Sequence, residues 1–64
     1  MDKDKTEVLV ETIYRYQTKQ IEIKEVQKIL NLFEVFDVSD ELFLNLVKQR
    51  GDIICHYYEG EWKI

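Results

Sequence analysis

One cysteine, Cys55, and one histidine, His56, are all the cross-linking chemistry carried by this chain of 64 residues. A single cysteine forbids an intrachain disulfide. One Cys and one His are too few ligands for a structural zinc site. The chain must therefore hold itself together by packing alone, or with a second subunit. A chain this short buries only about 60% of the surface that its unfolded form exposes, and a single core of this size supplies roughly 3–5 kcal/mol.

Apolar residues make up 45% of the chain and charged residues 34%, the balance of a globular domain and not of a disordered tail. One domain, residues 1–64, is expected. Apolar runs such as Val8-Leu9-Val10 and Leu42-Phe43-Leu44 are far too short to span a bilayer, so no membrane partner is expected. Met1-Asp2-Lys3-Asp4-Lys5 carries no net positive leader and no apolar stretch follows it, so no export signal is read. Together with the lone cysteine this points to a reducing cytoplasm. The net charge of −4 counts against generic nucleic-acid binding, where Lys and Arg neutralise phosphates. It suits docking on a basic protein surface.

Periodicity predicts a first helix from about Lys5 to Thr18. Leu9, Val10, Ile13, Tyr14 and Tyr16 or Gln17 share a stripe, with Glu7, Glu11, Arg15 and Lys19 opposite. Asp4 or Thr6 is the expected cap. Gln20-Ile21-Glu22-Ile23 alternates polar and apolar, as a short strand or the lead-in to the next helix. From Lys24 the period is helical. Ile23, Val26, Leu30 and Phe33 form the stripe, widened by Ile29 and Phe36, and the helix stops between Asn31 and Phe36. Asp37-Val38-Ser39-Asp40 breaks the pattern, with Ser39 or Asp37 as the next N-cap. A third helix is expected from Asp40 to Arg50, burying Leu42, Phe43, Leu46 and Val47. Its acids lie in the first turn and Lys48 and Arg50 in the last, in accord with the helix dipole. Gly51 follows where a left-handed C-cap is expected.

From Asp52 to Ile64 the period reads as alternating. Ile53, Ile54, Tyr57, Tyr58 and Trp62 are strand formers, and Glu59-Gly60 suits a two-residue hairpin turn. That turn pairs Tyr58 with Glu61 and Tyr57 with Trp62. One face then carries Ile53, Cys55, Tyr57, Trp62 and Ile64, and the other Ile54, His56, Tyr58, Glu61 and Lys63. The expected fold class is thus α+β, with three helices followed by a C-terminal β-hairpin.

This order of elements resembles the winged helix-turn-helix domains. The resemblance implies that Ile21-Glu22-Ile23 is the short strand and Lys24 to Leu30 the first helix of the pair. Asp40 to Arg50 would be the recognition helix and Ile53 to Ile64 the wing. The DNA contacts it implies are Asn45, Lys48, Gln49, Arg50 and Lys63. The chain departs from that pattern at both contact points. Asp40 and Glu41 stand at the start of the recognition helix and Glu59-Gly60-Glu61 at the wing tip, where acids repel phosphates.

No phosphate-binding glycine loop, no nucleophile–base–acid set and no metal-ligand spacing occurs. No enzyme activity, cofactor or metal is expected. Cys55 and His56 are neighbours, but neighbours on a strand point to opposite faces. Asp37, Asp40 and Glu41 are explained as helix-capping acids. The aromatic residues and exposed aliphatics are more telling, because such groups beside polar ones anchor protein interfaces. The first expectation is a small acidic regulator or inhibitor that binds another protein, perceived from composition as a bacterial or phage product. It would be directed at a basic surface such as that of a nucleic-acid-handling or transcription protein. Its contact residues would be Asp40, Glu41, Leu44, Ile54, Tyr58, Glu59 and Glu61. The alternatives are a DNA-binding transcriptional regulator and an assembly protein acting through self-association, with a homodimer as its simplest form.

Overall fold

In the computed structural model, which describes residues 4–60, three helices fold around one core. They are α1 (Lys5–Gln17), α2 (Ile23–Leu32) and α3 (Asp40–Cys55), and a π-helical turn over His56–Gly60 continues α3. α1 packs against both α2 and α3. There is no strand among the described residues. The architecture is therefore all-helical, and the expected α+β fold and winged-helix resemblance are both corrected.

The helix starts follow local chemistry. The Asp4 carboxylate accepts a bond from the Thr6 amide at 3.4 Å, and Ser39 Oγ accepts one from the Leu42 amide at 3.1 Å. At the head of α2 the Glu22 amide donates to the Glu25 carboxylate at 2.8 Å. These contacts satisfy donors that a helix N-terminus leaves unpaired. Ile21-Glu22 is accordingly a bend leading into α2, which begins at Ile23, and not a strand.

The helix ends of α1 and α2 share one device. After α1, Lys19 adopts φ 65°. Its amide donates to the Tyr16 carbonyl at 3.1 Å, and the Gln20 amide donates to the Arg15 carbonyl at 2.9 Å. After α2, Glu34 adopts φ 63°. Its amide donates to the Asn31 carbonyl at 3.0 Å, and the Val35 amide donates to the Leu30 carbonyl at 2.7 Å. Both are Schellman motifs, which usually place glycine at the left-handed position. The second is completed by two buried apolar residues, Leu30 and Val35, at the positions where such motifs make their hydrophobic contact.

Gly51 does not end α3. It has no positive φ and lies buried inside the helix, which runs on to Cys55. A Cβ at Gly51 would lie 2.8 Å from Gln17 Oε1 and 3.0 Å from its Cδ. The glycine therefore lets the end of the Gln17 side chain lie against α3. The helical stripe Phe43, Val47, Gly51, Ile54, Tyr58 continues through the segment that had read as a strand. Phe43 is 0% exposed and Ile54 9%. At His56 the backbone keeps right-handed helical dihedrals, φ −60° and ψ −40°, so the chain widens into the π-helical turn and does not reverse as a hairpin. The Glu59-Gly60 turn expectation is thereby overturned. The second hairpin arm, including Glu61, Trp62, Lys63 and Ile64, lies outside the described residues.

The core comprises Val8, Ile13, Val26, Leu30, Val35, Val38, Phe43 and Ile54. Thr12 is buried among them, and its hydroxyl donates to the Val8 carbonyl at 2.7 Å. A buried hydroxyl is tolerated because it is satisfied. Tyr16 meets Phe43 edge to face at 5.5 Å, a favoured aromatic geometry. Phe33, Phe36 and Leu42, expected inside, are exposed.

Candidate protein-binding surface

The corner between α2 and α3 is shaped by two anchors. Val35 and Val38 both turn into the core, and the residues between them, Phe36 and Asp37, are exposed as a result. Gln27, on α2, fixes the far side of the corner. Its amide donates to the Val38 carbonyl at 2.8 Å and to the Asp40 carboxylate at 3.1 Å. Phe36 is thus 70% exposed on backbone pinned before and after it. It borders a hollow on either side. One is shared with Lys5, Leu9, Glu34 and Asp37, the other with Gln27, Asp37, Ser39 and Asp40. Leu32, 76% exposed, and Phe33 precede Phe36 by four and three residues, at the end of α2.

The charges at this corner are of one sign to an unusual degree. From Ile29 to Val47 the chain carries Glu34, Asp37, Asp40 and Glu41, and all nine Lys and Arg residues lie outside that stretch. The same stretch holds Leu32, Phe33, Phe36, Leu42 and Leu44, most of the large apolar side chains exposed among the described residues. Lys5 lines one hollow, and Lys28 and Lys48 flank the stretch in sequence.

The residues expected at a partner site are not brought together. Asp40, Glu41 and Leu44 are exposed in the first two turns of α3. Ile54 is core and unavailable. Tyr58 is half-buried, with its ring stacked on Tyr14 at 4.7 Å. Glu59 accepts a bond from the Tyr14 hydroxyl at 2.9 Å. That bond, then burial and the repulsion between charges, raises the Tyr14 pKa above its ordinary value. α3 is about 24 Å long at the usual rise per residue, and Tyr58 and Glu59 lie beyond its far end from Asp40. The winged-helix contacts Asn45, Lys48, Gln49 and Arg50 are all exposed on α3, but Glu41 and Asp52 share the helical stripe of Asn45 and Lys48. Lys63 lies outside the described residues.

Sequence reasoning missed Leu32, Phe33, Phe36 and Asp37. The signal was present in two forms: the stretch without a cation, and Leu32 standing half a turn away from the Val26–Leu30 stripe.

Chemistry elsewhere is sparse. Cys55 is half-buried. Burial pushes its thiol pKa up, helped by the nearby Glu59 and Asp52 carboxylates, opposite to what a nucleophilic thiolate needs. Among the described residues no group of three or more His, Cys, Asp or Glu is placed to hold a metal ion, and no helix is long and apolar enough to cross a membrane. No protein-family model, curated protein or solved structure matches the chain.

Proposed function

We propose that this chain acts by binding another protein, as a small acidic regulator, and that the α2–α3 corner is its contact surface. The observation that carries this reading is Phe36, held outward between two buried valines and bordered by carboxylates. An exposed aromatic on a fixed backbone loses little freedom when a partner covers it, which favours it as an anchor. The lone cysteine supports a cytoplasmic setting.

The test compares the full chain with Phe36→Ser as immobilised bait, with and without nuclease. A protein held in stoichiometric amount by the wild type, retained after nuclease and lost with Phe36→Ser, supports the reading. Equal capture by both baits refutes the corner as the contact surface. Capture that nuclease abolishes replaces a protein partner with a nucleic acid.

A further inference from the structure

We infer that the partner segment seated on the α2–α3 corner is a basic amphipathic helix, one that carries apolar anchors flanked by Lys or Arg. The inference rests on the corner being a contact surface and adds the chemistry of its occupant. Apolar area alone would accept any greasy partner. The rim decides between them. Glu34 and Asp37 border the hollow on one side of Phe36, and Asp37 and Asp40 that on the other. Glu41 follows in the first turn of α3. Lys5 is the one cation lining either hollow.

This arrangement selects against the other occupants. A second copy docked symmetrically would set these carboxylates against their own equivalents. An anionic lipid surface and a nucleic-acid backbone would be repelled by the same groups. A helix with leucine-like anchors and Lys or Arg to either side gains both terms. Its apolar stripe covers Phe36, and its cations face the acids that rim the two hollows. Helix-in-groove recognition places the apolar stripe of a helix on exposed apolar side chains, and charge complementarity of this kind speeds association and excludes wrong partners.

The experiment titrates the full chain with three labelled peptides of equal length. One is an amphipathic helix of leucine and lysine, the second replaces lysine with glutamate, and the third keeps lysine but replaces leucine with serine. Anisotropy gives affinity, and amide chemical shifts give the place of binding. The leucine–lysine peptide should bind best, shift amides from Leu32 to Glu41, and weaken as salt rises. Phe36→Ser and the pair Asp37→Asn with Asp40→Asn should each weaken it by about tenfold, with melting curves confirming that each variant is folded. Binding of the leucine–glutamate peptide at the same corner with equal affinity would overturn the basic partner and leave the contact surface standing. Failure of both leucine peptides to shift the corner would overturn both readings. Equal binding of the serine–lysine peptide would reduce the site to charge alone and overturn the amphipathic helix.

Discussion

The seam between α1 and α3 and the corner between α2 and α3 draw on the same kinds of residue and use them in opposite ways. At the seam, Phe43 is fully enclosed and meets Tyr16 edge to face, while Gly51 clears room for the Gln17 side chain. At the corner, Phe36 faces outward although it sits between two core valines. The seam shows a chain using bulk and its absence to bring two helices close. The corner shows a chain fixing its backbone while leaving its largest side chain uncommitted. A domain this small cannot enclose all its apolar surface, so which phenylalanine remains outside is informative.

The sharpest way to break that comparison is to truncate each phenylalanine. Phe43→Ala should cost about 3–5 kcal/mol, comparable with the whole stability of a domain of this size, and leave the chain largely unfolded by circular dichroism. Phe36→Ala should change stability by no more than about 0.5 kcal/mol. Similar losses for both would mean that the corner is as much core as the seam.

The seam itself is sharpened at Gly51. Gly51→Leu should cost about 1–3 kcal/mol through overpacking against α1. Gly51→Ala meets only the movable end of Gln17, so its helix-propensity gain of about 1 kcal/mol should emerge once Gln17→Ala removes the obstruction. A double-mutant cycle by denaturant melts reads that coupling. Strict additivity would sink the contact.

The corner is sharpened at Glu34, whose left-handed backbone disfavours a side chain. Glu34→Gly should stabilise the fold by about 1 kcal/mol, read as a raised denaturant midpoint. A loss instead would show that the carboxylate outweighs the backbone strain.

The smallest effect belongs to the far end of α3. The Tyr14 pKa is raised above 10.0, first by the bond to Glu59. A pKa higher in the folded state than in the unfolded state contributes stability that is whole below pH 10 and is lost as pH rises through the raised value. Melts across the alkaline range should show a steeper decline for the wild type than for Tyr14→Phe. Parallel curves would remove the linkage.

Helix starts were legible because Asp4 and Ser39 announce themselves by side-chain chemistry. Helix ends were not. The two left-handed positions carry Lys19 and Glu34, and the glycine that looked like an ending is there for close packing. Ile53 to Tyr58 satisfied two periods at once. Alternation suggested a strand, but the spacing of Phe43, Val47, Gly51, Ile54 and Tyr58 continued the helix. Tertiary contact with α1 supports the helical reading, and β-propensity yields to it. At the candidate site, Asp40, Glu41 and Leu44 were named from sequence as contact residues. Phe36 was not, because its exposure depends on Val35 and Val38 being buried on either side of it, and a stripe drawn on paper gives all three the same weight.

The thiol of Cys55 gives the end of α3 a built-in reporter. It is the one cysteine in the chain, half-buried at the last residue of α3, and burial, with the Glu59 and Asp52 carboxylates, raises its pKa and so lowers the fraction of reactive thiolate. Its rate of modification by a disulfide reagent therefore reports on the surroundings of that helix end, without any added probe. Undocking of the Tyr14–Glu59 contact becomes visible as chemistry at a neighbouring sulfur.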